Sequence, residues 1–104
     1  MLFHVTMTHS EDNCPAYHPE LMKDFIEKSD NLDAIAQELG VKIHNIYWGA
    51  PEHVAYALLE TDNIASIGRL VFTMPFHQDF KVTAVQNLKE IIVTGKAMLE
   101  QMKR

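Results

Sequence analysis

One cysteine, four glycines and four prolines in 104 residues deprive several classes of protein of their raw material. Cys14 alone cannot close an internal disulfide, which fits a reducing compartment. Gly40, Gly49, Gly68 and Gly95 stand far apart, so there is no Walker-type or Rossmann glycine run to cradle phosphate, and no G-x-S-x-G elbow to present a serine. Nine Lys and Arg against fourteen Asp and Glu leave a formal charge of −5, and the cations are scattered. That argues against nucleic acid or an anionic membrane as partner. No run of eighteen apolar residues could span a bilayer. The opening Met1-Leu2-Phe3-His4-Val5-Thr6 lacks a basic segment followed by a long apolar one, so no signal peptide is expected. A soluble cytoplasmic protein is the expectation.

What is present suits one folded domain over 1–104: 47% hydrophobic and 22% charged residues are ordinary globular usage, enough for one core and too little chain for two. Leu2 to His9 alternates Phe3, Val5 and Met7 with His4, Thr6 and Thr8, the period of a strand with unlike faces. Ser10 to His18 is polar, holds Cys14-Pro15, and reads as the longest loop. Pro19 suits a first helical position, and an apolar stripe from Leu21 to Leu39 runs to a stop at Gly40, with Ser29-Asp30-Asn31 able to interrupt it. Val41 to Ala50 and His53 to Glu60 predict a hairpin turning at Pro51-Glu52. Thr61 or Asp62 is expected to cap a helix carrying Ile64, Ile67, Leu70 and Val71, and Phe80 to Gln86 alternates as a fourth strand. Leu88, Ile91, Ile92, Met98, Leu99 and Met102 mark a helix on the tail, expected to dock on the body.

The order β, α, β, β, α, β, α predicts an α+β, ferredoxin-like βαββαβ unit with an additional C-terminal helix. Right-handed crossovers give a four-stranded antiparallel sheet of order 4-1-3-2. This routing brings the end of the first strand, the following loop, the hairpin and the approach to the fourth strand to one edge. His9, Cys14, His18, Trp48, His53 and His77 lie on those segments. Imidazole and thiolate are the ligands that borderline transition ions prefer. His9, Cys14 and His18, spaced H-x4-C-x3-H, are therefore candidate ligands for nickel, zinc, copper or iron, with His53 or His77 completing the set. The plainer readings are a small buried cysteine closing a loop, a histidine at a helix start, surface turn histidines and a packing tryptophan.

Strand parity places His4, Thr6, Thr8, His44, Ile46, Trp48, Ala55, Ala57 and Leu59 on the face away from the helices. Phe3, Val5, Met7, Val41, Ile43, Val54, Tyr56 and Leu58 fall beneath them. The first set is too apolar to face water, which predicts a homodimer joined through the open sheet face. Small residues at 55 and 57 would leave a cavity there for a small-molecule ligand, with Thr6 and Trp48 as binding residues and His4 or His44 as candidate catalytic base. Hydrogen bonds across the interface are the plainer role for His4 and His44.

The element order, the opening Met1 to His9 and the hairpin Tyr47-Trp48-Gly49-Ala50-Pro51-Glu52-His53-Val54 resemble uncharacterised families of the dimeric α/β-barrel superfamily of small bacterial ferredoxin-like proteins. That resemblance implies a dimeric α/β barrel. Its members include cofactor-free monooxygenases, muconolactone-isomerase-like and YCII-like proteins, haem enzymes and small proteins that bind nickel through strand and loop histidines. The last group implies that His9, Cys14 and His18 be tested first. No His-Asp pair of the YCII-like kind can be placed in the sequence. Three functions are carried forward: a homodimeric transition-metal-binding protein, a cofactor-independent enzyme of monooxygenase or isomerase type, and a sensor or interaction module whose histidines share no task.

Overall fold

Alternation in Leu2–Thr8 (β1) gives a strand whose buried side chains are Phe3, Val5 and Met7. The structure, a computed structural model, describes residues 1–103. After β1 the chain makes two short 3-10 turns, Glu11–Asn13 and Pro15–Tyr17, and enters α1 (Pro19–Asp30) with Pro19 at its start. Asn31 breaks the predicted helix and α2 (Leu32–Leu39) follows. Asn31 makes no side-chain cap; its Nδ2 donates to the Glu27 carbonyl at 3.0 Å. Gly40 closes α2 in the left-handed conformation, φ 73°, that a residue without a Cβ adopts at least cost.

β2 (Lys42–Gly49), β3 (Val54–Glu60) and β4 (Asp79–Val85) complete one four-stranded antiparallel sheet of order β2-β3-β1-β4, the expected 4-1-3-2 read from the other edge. Between β3 and β4 lies α3 (Ala65–Val71). Its entry is built by Asn63, whose Oδ1 accepts the Ala65 amide at 3.0 Å, rather than by a cap at Thr61 or Asp62. Helices α2 and α3 press Ala36, Ile67, Leu70 and Val71 onto Phe3, Val5 and Leu59, and Ile67 and Val5 are fully enclosed.

Register corrects the assignment of faces. Val5 pairs with Ala57, Phe3 with Leu59 and Met7 with Ala55, so the two small residues of β3 lie beneath the helices together with Leu59, and all three are buried. Val54, Tyr56 and Leu58 face the open side with His4, Thr6 and Thr8. In β2 an irregularity between Ile43 and Asn45 inserts His44, so Ile43, Ile46 and Trp48 all sit on the helix side. Every second residue of β3 is apolar on both faces, so alternation alone could not tell which set the helices cover.

The tail is a second correction. α4 (Leu88–Met102) forms as predicted, with Asn87 Oδ1 accepting the Glu90 amide at 2.9 Å, but every residue from Gln86 to Lys103 is exposed. The helix stands off the body instead of docking. The molecule measures 62 × 29 × 18 Å, with a radius of gyration of 17.2 Å, against about 13 Å for a compact chain of this length.

Candidate functional site

Three local devices aim three side chains at one point. β1 ends at Thr8, and the backbone amide of His9 donates to the His53 carbonyl at 3.2 Å, fastening the strand end to the hairpin turn. His53 closes that turn in the left-handed region, φ 56° and ψ 43°, a conformation in which histidine is enriched among residues with a Cβ. Cys14 joins the two 3-10 turns: its amide donates to the Glu11 carbonyl and its carbonyl accepts from Tyr17, both at 3.1 Å, and the side chain is buried.

One donor atom from each of His9, Cys14 and His53 lies within 4.8 Å of the other two. His53 Nδ1 and His9 Nε2 are 3.3 Å apart, one ring donating to the other. His9 Nδ1 is buried and has no hydrogen-bond partner among the described residues. Burial, and then the neighbouring His53, hold the His9 pKa below its ordinary value, which favours the neutral ring. The trio lines a pocket of about 340 Å³ whose walls include Tyr17, Met22, Phe25 and Trp48, and among the described residues no carboxylate lines it. Aromatic rings clasp the site: His9 meets Phe76 edge-on at 5.1 Å between centroids, and Phe25 meets Trp48 in the same way at 5.4 Å.

Other candidates lie elsewhere. His18 Nε2 donates to the Asp12 carbonyl at 2.6 Å, outside the trio, and His77 is exposed beside Phe76 and Gln78. The set His4, Thr6, His44 and Trp48 is not assembled. His4 and Thr6 are on the open face, where His4 tilts against Tyr56, whereas Trp48 is on the helix side beside His9. His44 Nε2 donates to Glu60 Oε1 at 2.8 Å at the far end of the sheet, and that hydrogen bond is the main cause of the lowered Glu60 pKa. The reading in which no histidines share a neighbourhood does not describe His9 and His53.

Nothing in the sequence sets Phe25, Phe76 and Tyr17 apart from other apolar residues. Phe25 belongs to the apolar stripe of α1 and Phe76 follows Pro75, so each reads as ordinary packing; only the chain path shows that Phe25 and Tyr17 wall the pocket and that Phe76 packs on His9.

Among the described residues no helix is long and apolar enough to cross a membrane. Element order and sheet topology place the chain in the ferredoxin-like α+β class. The particular proteins it is similar to begin with muconolactone isomerase: 22% identity over 84% of this chain and 90% of that one, TM-score 0.56, a likeness of fold. A dimeric ferredoxin-like protein from an uncultured marine organism is 14% identical, covers 84% and 96% of the two chains, and has a TM-score of 0.40. A NIPSNAP domain protein from Burkholderia xenovorans is 13% identical over 85% and 97%, with a TM-score of 0.46. No protein-family model and no curated protein matches the chain.

Proposed function

We propose that the protein is a small cytoplasmic homodimer that binds one transition ion per chain through His9, Cys14 and His53. The observation that carries this reading is the convergence of two imidazoles and a thiol within 4.8 Å of one another in a pocket without carboxylates. Two nitrogens and a sulfur suit zinc, nickel, copper or iron and disfavour magnesium and calcium, which take oxygen ligands. Three protein ligands also leave a tetrahedral ion one position short, and a closed structural site would fill it. The three side chains line the 340 Å³ pocket, so water or a small molecule could reach an ion held there and complete its coordination. His18 and His77 leave the ligand set in this reading.

The test is elemental analysis of protein purified without an affinity tag, followed by titration of apo-protein with zinc, nickel and copper salts. Near-stoichiometric metal, lost in Cys14→Ser, is the expected result. Absence of metal together with weak binding of all three ions rejects the reading. Binding should release protons, because a ligating sulfur is a thiolate.

The second reading, a cofactor-independent enzyme acting on a small organic molecule, moves from His4 and His44 to this same pocket. The observation in its favour is His9, half-buried in the pocket wall with a lowered pKa that favours the neutral ring a general base needs. Quenching of Trp48 fluorescence by phenol in metal-free protein, unchanged by chelator, would favour it; quenching that requires added metal returns the site to the first reading.

A further inference from the structure

The chain exposes 7462 Å² of surface, whereas a compact monomer of 11.9 kDa exposes about 5,900 Å². The surplus of about 1,500 Å² per chain is nearly double the roughly 800 Å² that each partner contributes to a standard interface. Two chains together would carry about 3,000 Å², inside the range of obligate homodimers.

Much of this surface is apolar and belongs to α4. Leu88, Ile91, Ile92, Leu99 and Met102 follow one another at helical spacing and lie 48–72% exposed, while Lys89, Lys96 and Lys103 recur at sevens on another face. A stripe of that width is what a helix buries against a body. Fifteen residues with Gly95, a poor helix former, near the middle are marginal as a helix in water without such a surface. The chain's own body leaves every residue of α4 exposed. The open sheet face is also uncovered: Tyr47 and Tyr56 stand 65% and 41% exposed there. Only Gln86 and Asn87 separate the edge strand β4 from α4, so a second molecule stacked on that face lies beside the root of the helix.

We propose that α4 is an exchanged arm, its Leu88, Ile92 and Leu99 stripe packing on a second copy of this chain that returns the same helix across a two-fold axis. The inference rests on the homodimer reading and extends it from the sheet to the tail. A reciprocal exchange buries both stripes and leaves no unmatched apolar surface to recruit a third copy.

Sedimentation velocity of the full-length chain at micromolar concentration, beside Leu99→Asp on α4 and Tyr56→Asp on the sheet, tests it together with photocrosslinking from Leu99→p-benzoylphenylalanine. Wild type should sediment as a dimer. Leu99→Asp should raise the dimer dissociation constant at least about thirtyfold, as loss of a central apolar anchor does. The crosslinked product should have the mass of two chains, with residue 99 joined to the partner. Unchanged dimer affinity in Leu99→Asp, or a crosslink confined to one chain, overturns the arm; loss of the dimer in Tyr56→Asp alone would then leave the sheet interface standing. A wild type that stays monomeric overturns both.

Discussion

Histidines at the two ends of the sheet differ in what they have as partners. At one end His9 and His53 face each other and Cys14 across an aromatic-walled pocket without a carboxylate, and one ring nitrogen of His9 is buried with no partner. At the other end His44 is exposed and hydrogen-bonded to Glu60. His18, near the first end in sequence, is occupied by the Asp12 carbonyl. A histidine becomes available to an ion or substrate when burial removes water and the surroundings withhold a competing acceptor or counter-charge. Counting histidines finds none of this.

The largest effect that could break the contrast is loss of a ligand. Cys14→Ser should lower zinc or nickel affinity by more than the roughly 10–100-fold that removal of an outer-shell partner costs, read by competition with a chromogenic chelator. His44→Ala should leave that affinity unchanged. If the two variants behave alike, the ends are not different. Next in size, Phe76→Ala removes a ring only 8% exposed, packed on His9, Phe25 and Trp48. Chemical denaturation should show a loss of about 3–5 kcal/mol, as for other buried aromatics.

His53→Gly separates site from scaffold. Glycine accepts the left-handed backbone that costs a residue with a Cβ about 1–2 kcal/mol, so metal-free stability should hold or rise slightly while metal binding is lost. A markedly destabilised glycine variant would show that the imidazole itself supports the hairpin.

The pH effects are smaller. The folded His9 pKa lies below its ordinary 6.5, so as pH falls the unfolded chain takes up this proton first. The favourable contribution is complete above about 6.5 and is lost as pH drops from there through the lowered value. Proton NMR of the apo-protein should find His9 titrating below the ordinary histidine range; titration at or above 6.5 contradicts the pocket environment. At the other end, the His44 hydrogen bond lowers the Glu60 pKa from 4.5. Its contribution is present above that value and fades as pH falls through the folded one, so His44→Ala should differ from wild type slightly near neutrality and less in strong acid. Glu60 is exposed, so acid-unfolding midpoints should shift little.

Much of the fold was legible. Period-two alternation in Leu2–Thr8 and Asp79–Val85, Pro19 at a helix start and Gly40 at a helix end each act within a few residues, and the elements they define stand where expected. The faces of β2 and β3 were not legible. Ala55 and Ala57 read as space on the open side, but pairing with Val5 and Met7 puts them under the helices, and the irregularity at His44 turns Trp48 toward the pocket. The site was half legible: routing put His9, Cys14 and His53 at one rim, and it put His18 and His77 there as well. That these two do not join the trio follows from side-chain directions in loops, set by contacts such as His18 to Asp12 that no spacing encodes.

By itself the sequence determined the element order, the single cysteine that cannot close an internal disulfide, and the amphipathic tail, because composition is given outright and helix, strand and turn preferences are local. Only the tertiary structure decided which face of the sheet is covered, which two histidines meet the cysteine, and that α4 leaves the body. Those outcomes depend on strand register and on contacts between segments more than forty residues apart, such as His9 with His53.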